Sequence, residues 1–273
     1  MKITIVLPAY NEEQDLPPLL NRIGTTLTRE GCDFRIIVVD DGSDDQTAEV
    51  VRNLSARWPI TLHQHPYNRG LGAAILTGLQ LAMNQDGVVI TMDADNSHDP
   101  SVIPVMAQCV EDGNDVVIAS RFQRGGQEVG VPAGRRLLSH SASFLLRILF
   151  HYPNVRDYSA GFRAYRASTL RRLSEVYRSS FIREQGFACM LELLLKLRAI
   201  GARATEVPLV LRYDLKSGAS KMRILRTIRQ YYSVMWNAAF SRPASAVSPV
   251  RQYASTVTIS PTDHHLELTL GGE

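Results

Sequence analysis

Acidic residues are missing from one long stretch of this 273-residue chain. From Leu215 to Thr262 there is no Asp or Glu, while Lys216, Lys221, Arg223, Arg226, Arg229, Arg242 and Arg251 all fall there. The whole chain carries a formal charge of only +3, too little for a general nucleic-acid binder, so the stretch marks a local basic face on a balanced protein. Cysteine is scarce: Cys32, Cys109 and Cys189 are odd in number and lack metal-ligand spacing, which excludes a disulfide framework and a cysteine-based metal site. No run approaches the ~18 apolar residues of a spanning helix. A strand-like run begins already at Ile3, so no signal peptide is expected, and the chain is expected in the cytosol or on a membrane it does not cross. No internal repeat is visible.

What is present is an alternation of short apolar runs and helical patterns. Ile3 to Leu7, Arg35 to Val39, Val88 to Met92 and Val116 to Ala119 are continuous apolar runs, as in strands buried on both faces of a parallel sheet. Helical patterns over Leu16 to Glu30, Thr47 to Trp58, Gly72 to Asn84 and Val102 to Asp112 separate them. This predicts an α/β fold with a mainly parallel sheet flanked by helices. Further along, Gly134 to Tyr152 has helical spacing with three arginines and no acid. "DYSAGFRAYR" is extended, Gly186 to Ile200 is helical, and "ATEVPLVLRY" is a strand. The expected division is a catalytic domain over 1–218, a basic amphipathic helix over 219–240 and a Ser/Thr/Pro-rich mobile tail over 241–273.

Polar clusters fall where the strands stop: Tyr10-Asn11-Glu12, Asp40-Asp41-Gly42-Ser43 and Asp93-Ala94-Asp95. Ligands of open α/β sheets bind outside the carboxyl ends of the strands, so three clusters on one rim imply a site. Carboxylates as close as Asp93 and Asp95 repel unless a cation sits among them. Mg²⁺ or Mn²⁺ suits such a pair, completing its shell with phosphate oxygens and water. Asp99, before Pro100, is better explained as a helix cap. In "DDGSDDQT", Ser43 or Asp44 can cap the next helix with Gly42 making the turn. The doubled Asp40-Asp41 exceeds that need and suits a base or ribose. "NRGLGAAILTGL" lacks the third glycine of a dinucleotide loop and any G-K-S/T, so Gly70 and Gly72 are expected to let the helix approach the sheet.

Taken together, "VLPAYNEEQDL", "VVDDGSDDQT", "NRGLGAAILTGL", "MDADNSHDP", "SRF" and "SAGFRAYR" resemble the family 2 inverting glycosyltransferases, and among them the dolichol- or polyprenol-phosphate mannosyltransferases. "EQGFACMLELLLKLRAIGARATEVPLVLRY" followed by "GASK" continues the match. The resemblance implies a GT-A fold that takes a nucleotide-sugar donor such as GDP-mannose, a divalent metal and a polyprenyl phosphate acceptor. It assigns Pro8, Tyr10, Glu12, Val39 and Asp41 to the nucleoside, Asp93 and Asp95 to the metal, and Ala94 to the nucleotide. Arg121, Arg212 and Lys221 fall to the donor diphosphate, and Arg135 with Ser139 to the acceptor phosphate; Asp93, Asp95 and Arg121 are the catalytic set.

Three departures qualify this. Ser97 stands where the family often has a Gln metal ligand, so Ser97 is placed at the metal with Asp93 and Asp95 and water is expected to complete the shell. The loop between Arg212 and Lys221 is longer, and the Q-x-x-R-W of processive synthases is absent, which favours one sugar per cycle. Alternatives are a donor such as UDP-glucose, a hydroxyl acceptor with Glu192 as base, or a non-catalytic membrane-surface scaffold. Glu192 otherwise has no assigned role. In "SKMRILRTIRQYYSVMWNAAF", Ile224, Leu225, Ile228, Tyr231, Tyr232, Met235 and Trp236 form an apolar stripe beside unopposed arginines. That stripe is expected to lie in the cytoplasmic face of a membrane; the alternative is that it packs on the catalytic domain or on a membrane partner subunit.

Overall fold

The computed structural model describes residues 2–178, 181–216 and 224–240, with the side chains of Arg135, Leu138, residues 224–226 and residues 239–240 left outside the description. The tail expected over 241–273, and Lys221, also lie outside the described residues.

A seven-stranded sheet runs in the order β3-β2-β1-β4-β7-β5-β8. Its strands are β1 (Lys2–Ala9), β2 (Asp33–Asp40), β3 (Ile60–Gln64), β4 (Val88–Thr91), β5 (Val116–Ser120), β7 (Arg163–Arg166) and β8 (Ala204–Pro208). All neighbours are parallel except β7, which runs antiparallel between β4 and β5. The mainly parallel α/β sheet predicted from the apolar runs is therefore present. A second ribbon pairs β6 (Gln127–Val129) with β9 (Val210–Arg212), because the "ATEVPLVLRY" strand breaks at Leu209 and its second half leaves the main sheet.

The two faces of the sheet bury separate cores. In β1, Ile3, Ile5 and Leu7 face α1 (Leu16–Arg29) and α4 (Ile103–Glu111), while Val6 faces the other side. That other side is covered by α3 (Leu71–Ala82), α6 (Ala167–Tyr177), α7 (Cys189–Ala199) and α8 (Ile224–Phe240). Two more helices complete the chain, α2 (Thr47–Leu54) and α5 (Ala133–Leu149). Among described residues no helix is long and apolar enough to cross a membrane.

Helix α3 lies against the sheet through Gly78, whose missing side chain makes room for Val6 Cγ1; an added Cβ would stand 2.2 Å from it. The two glycines expected in that role do something else. A Cβ on Gly72 would strike the Glu184 carbonyl and one on Gly70 would meet the Gln185 carbonyl at 2.6 Å. The start of α3 thus packs on the segment before α7, and Gly72 N–H donates to Gln185 O at 2.9 Å.

The chain leaves β1 for β2 and β3 on one side, then returns to β4 on the other. The carboxyl ends of β2, β1 and β4 therefore lie side by side at the point where strand order reverses, where α/β sheets place ligands.

Gly78→Ala should lower stability by about 1–3 kcal/mol, because a β-branched core side chain has nowhere to move. Gly134→Ala is the matched control, with nothing within 4 Å of its added Cβ, and should be neutral or slightly stabilising. Thermal denaturation of the two variants beside the parent measures the difference.

Candidate active site

The loops leaving β1 and β2 are stitched together. Asn11 N–H donates to Ser43 Oγ, Asp44 N–H to Asn11 Oδ1, and Glu12 N–H to Thr47 Oγ1, each within 2.9 Å. Asn11 takes φ 53°, a left-handed conformation that Asn tolerates better than most residues. Neither Ser43 nor Asp44 caps α2. The N-cap position is Gln46, which makes no side-chain cap bond; Asp45 just before it accepts from Thr47 N–H at 2.9 Å, while Ser43 bonds back to Asp40.

The paired aspartates also have structural partners. Asp40 accepts from Ser43 N–H and from Gln64 Nε2. Asp41 accepts from Arg69 N–H at 3.0 Å and Gly70 N–H at 2.7 Å, and lies 2.6 Å from buried His65 Nδ1. Asp41 still lines the cavity below, but its bonds fix the 69–70 loop over the site.

A cavity of about 1100 Å³ opens on this rim and brings together most of the expected residues. Pro8, Tyr10, Glu12, Asp41, Asp93, Ala94, Asp95, Ser97, Arg121 and Ser139 all line it. Two expected residues are not brought there. Val39 is fully buried in the core against α3, because it points to a sheet face and not to the rim. The Arg212 side chain is 43% exposed and forks onto its own neighbour Asp214 at 2.7–3.2 Å; what it gives the site is its backbone N–H, donated to Ser97 O at 2.9 Å. Lys221 and the Arg135 side chain are outside the description.

At the floor, Asp93 faces the cavity with its side chain 40% exposed. Enclosure by the cleft nevertheless raises its carboxyl above the ordinary range; His98 opposes that and Asp95 adds to it. Gly161 permits the close approach, since a Cβ there would stand 2.9 Å from Asp93 Oδ1. Burial likewise opposes ionisation of Asp95, but His98 and Lys216 outweigh it and hold the carboxyl below its usual value. Ser97 N–H and Oγ–H both donate to Asp95 Oδ1, and Lys216 Nζ donates to Asp95 Oδ2 at 2.7 Å. Lys216 was not among the expected site residues, although the acid-free stretch contained it. His98, buried and stacked on Phe162, with Nε2 4.0 Å from Asp93, was missed too.

These groups fit a hard divalent cation. Two ionisable carboxylates of opposed shift share one cavity wall, and Asp95 has drawn in an ammonium as counter-charge. Among the described residues no three His, Cys, Asp or Glu side chains gather around a common point. The pair thus leaves coordination positions to phosphate and water, as Mg²⁺ and Mn²⁺ accept. Ser97 Oγ is turned to Asp95 and orients it.

Arg121 forms the second charged group. Asp157 binds it through two oxygens at 2.9 and 3.0 Å, with Ser159 Oγ at 2.8 Å and Glu128 at 3.2 Å. Burial works against the Arg121 charge and Asp157 more than offsets that, so its pKa is raised. Burial opposes ionised Asp157 in turn, and Arg121 holds its carboxyl below the usual range. Glu206 then accepts from Arg156 and Asp157 N–H, fixing the loop that presents Asp157.

Glu192 also gains an assignment. It is buried, accepts from Arg183 and Glu184 N–H at 2.9 and 2.8 Å, and meets Lys196 at 2.6 Å. It holds the segment on which α3 rests and does not line the cavity.

Fold and cavity define a glycosyltransferase of the GT-A type. The chain belongs to glycosyl transferase family 2, whose model matches residues 4–174. It is 32% identical over 249 residues to a dolichol-phosphate mannosyltransferase of Pyrococcus furiosus, covering 89% of this chain, and the match spans about two thirds (66%) of that relative's length. It is also 32% identical to the undecaprenyl-phosphate mannosyltransferase of Micrococcus luteus, over 81% of this chain and 88% of the other. Polyprenol monophosphomannose synthase of Mycolicibacterium smegmatis matches at 32%, with 80% of each chain covered. Among solved structures, glucosyl-3-phosphoglycerate synthase of Mycobacterium tuberculosis, bound to Mn²⁺, UDP and phosphoglyceric acid, superposes with a TM-score of 0.63. At 21% identity, with 88% of this chain and 78% of that one covered, it attests the fold.

Asp157→Asn should cost about 3 kcal/mol, the scale for breaking a buried ion pair from one side. Because the folded carboxyl titrates below its unfolded value, this contribution is complete above the ordinary pKa of about 3.9 and is lost as pH falls through the folded value. The gap in Tm between parent and Asp157→Asn should accordingly be widest near neutral pH and shrink in acid.

Proposed function

We propose that this protein transfers one mannose, with inversion, from GDP-mannose to a polyprenyl phosphate, using Mg²⁺ or Mn²⁺ held by Asp93 and Asp95. The observation that carries this reading is a single cavity joining the acidic pair to Ser139 on α5 and to Ile228 and Tyr231 on α8. A nucleoside fits the Pro8, Tyr10 and Glu12 end, and a phosphate with an apolar tail fits the α5–α8 end. The names of three relatives, each a lipid-phosphate mannosyltransferase or synthase, support the same pairing of sugar and acceptor.

A polyprenyl phosphate has a second pKa near 6 and is largely dianionic at neutral pH, so the nucleophile needs no base. A hydroxyl acceptor would need one, and Glu192, the carboxylate the sequence offered, is engaged by backbone and Lys196 outside the cavity. The demand falls on the leaving diphosphate, whose charge the bound metal would stabilise as a Lewis acid. Arg121, held rigid by Asp157 and Glu128, adds preorganised positive charge to that wall. Ser139, on the inner side of α5, offers a hydroxyl to the incoming phosphate, with Arg135 one turn earlier on the same helix. Attack in line on the anomeric carbon of an α-linked donor yields a β-linked lipid phosphate sugar.

The apolar surface available to meet a lipid is larger than the sequence suggested and extends from α8 onto α5. On α5, Leu137 is 71% exposed, and Phe144, Leu145, Ile148 and Leu149 are exposed with it. On α8 the expected single stripe is split: Val234 is buried, Tyr231 and Met235 pack on the core, and Tyr232 and Trp236 face outward. We therefore assign membrane contact to the outer faces of α5 and α8 together, with Arg229 exposed beside them.

Incubating the full chain with labelled GDP-mannose, Mn²⁺ and a short polyprenyl phosphate should give a labelled lipid. Asp93→Asn and Asp95→Asn should each lower kcat by at least about a hundredfold with the fold intact. Turnover only with UDP-glucose, or only with a hydroxyl acceptor, overturns the assignment of donor or acceptor. On vesicles, the parent should co-sediment with anionic lipid, and Phe144→Asp combined with Ile148→Asp should cut the bound fraction several-fold. Equal sedimentation would remove α5 from the membrane face.

A further inference from the structure

Lys216 occupies an unusual position for a surface-loop lysine. Its ammonium bonds Asp95 Oδ2 at 2.7 Å, its side chain is 11% exposed, and it lines the central cavity. Glu12 and Asp93 also act on it electrostatically. So one ammonium is set among three carboxylates from the loops after β1 and β4.

The base of this side chain is anchored. Lys216 follows β9 and the one-turn helix Tyr213–Leu215. Arg212 N–H is tied to Ser97 O, inside the acidic loop itself. Gly130, just after β6, has φ +77° and lies so close that a Cβ there would stand 2.9 Å from Asp214 N. The strap thus rests on the ribbon on one side and on the acidic loop on the other, and from this anchor the lysine arm reaches Asp95.

Lys216 and a divalent ion cannot both take Asp95 Oδ2 without strong repulsion. A metal arriving alone must displace the ammonium and leave it without a carboxylate contact. A metal arriving with a nucleoside diphosphate brings a new anion, and the displaced ammonium can turn to it from the same anchor.

We propose that Lys216 is a tethered counter-ion that guards Asp95 against free metal and passes to the donor's diphosphate when metal and nucleotide bind together. The consequence is coupled loading: the nucleotide tightens the metal and the metal tightens the nucleotide by the same factor. This rests on the metal site proposed above, and goes beyond it by assigning a residue and an order of binding. An ordinary ion pair would instead stabilise the fold and leave the coupling unchanged.

The test is Mn²⁺ binding by the full chain, followed by electron paramagnetic resonance of free Mn²⁺, with and without GDP or UDP. Parent, Lys216→Ala, Lys216→Arg and Asp95→Asn are compared after circular dichroism confirms their fold. Lys216→Ala should bind Mn²⁺ alone roughly tenfold more tightly, the scale of one unit charge a few ångströms from a divalent ion in a solvated cleft. Its affinity for nucleoside diphosphate at saturating Mn²⁺ should fall by about the same factor on the same ground. Lys216→Arg, which keeps the charge, should retain most of the coupling. If Lys216→Ala leaves the affinity for Mn²⁺ alone unchanged or weaker while Asp95→Asn abolishes it, the metal site stands and the counter-ion role is wrong. If Asp95→Asn leaves Mn²⁺ binding unchanged, the metal assignment falls and the role of Lys216 with it.

Discussion

Two carboxylates separated by one residue at the end of a buried strand set the terms for the rest of this molecule. Asp93 and Asp95 leave β4 in the middle of the sheet, where burial and mutual repulsion both disfavour two negative charges. Every neighbouring element contributes to holding them. The approach to β7 supplies Gly161, small enough for Asp93 to lie against its backbone. The acidic loop supplies Ser97 and His98, and α1 supplies Arg22, whose guanidinium binds Asn96 at 2.8 Å and stabilises a left-handed turn at φ 58°. The strap after β9 supplies Lys216. The site is therefore a place where four separate segments must close correctly before the charges become tolerable.

The same logic recurs at Arg121. Its charge would be costly where it sits, and Asp157 and Glu128 neutralise it in a geometry that leaves little rotational freedom. Asp157 is itself presented by a loop that Glu206 fastens to β8. A cation fixed by two carboxylates is a weaker electrostatic clamp than a free one, but it needs no reorganisation when charge develops nearby. Lys216 is the opposite case, with one contact carboxylate and a long arm. The cavity thus carries one guanidinium fixed by several partners and one ammonium held by a single contact carboxylate.

Much of this was legible in the sequence, and the failures share a cause. Apolar runs located β1, β2, β4 and β5 because strands buried on both faces have no alternation to confuse the pattern. β3 escaped because it is an edge strand, half exposed, with the mixed composition of "ITLHQ". At the site, residues whose backbone lies in a rim loop do line the cavity, as with Tyr10, Asp93 and Ser97. Asp41 and Glu192 show the limit. A carboxylate that orders a loop by accepting backbone N–H groups looks, in sequence, identical to one that awaits a ligand. Lys216 shows the converse, since only the fold reveals that it reaches Asp95 from 121 residues away.

The division of α5 and α8 into two faces extends this to the acceptor. Their inner residues, Ser139, Ser143, Leu146, Ile228 and Tyr231, line the cavity, and their outer residues, Leu137, Phe144, Ile148, Tyr232 and Trp236, are exposed. Each helix thus has apolar or weakly polar residues on both sides, a pattern that a soluble globular helix has no reason to adopt. A phosphate at the end of a long apolar chain has matching needs, for its head must reach Arg121 and the acidic pair while its tail stays out of water. On the function proposed above, helices that are cavity wall on one side and lipid contact on the other would let the head enter a charged cleft without the tail crossing it. On this view the basic, acid-free character of the chain beyond Leu215 serves both ends of the substrate at once: Lys216 turns inward to the acidic pair, and Arg229 stays outside at the surface.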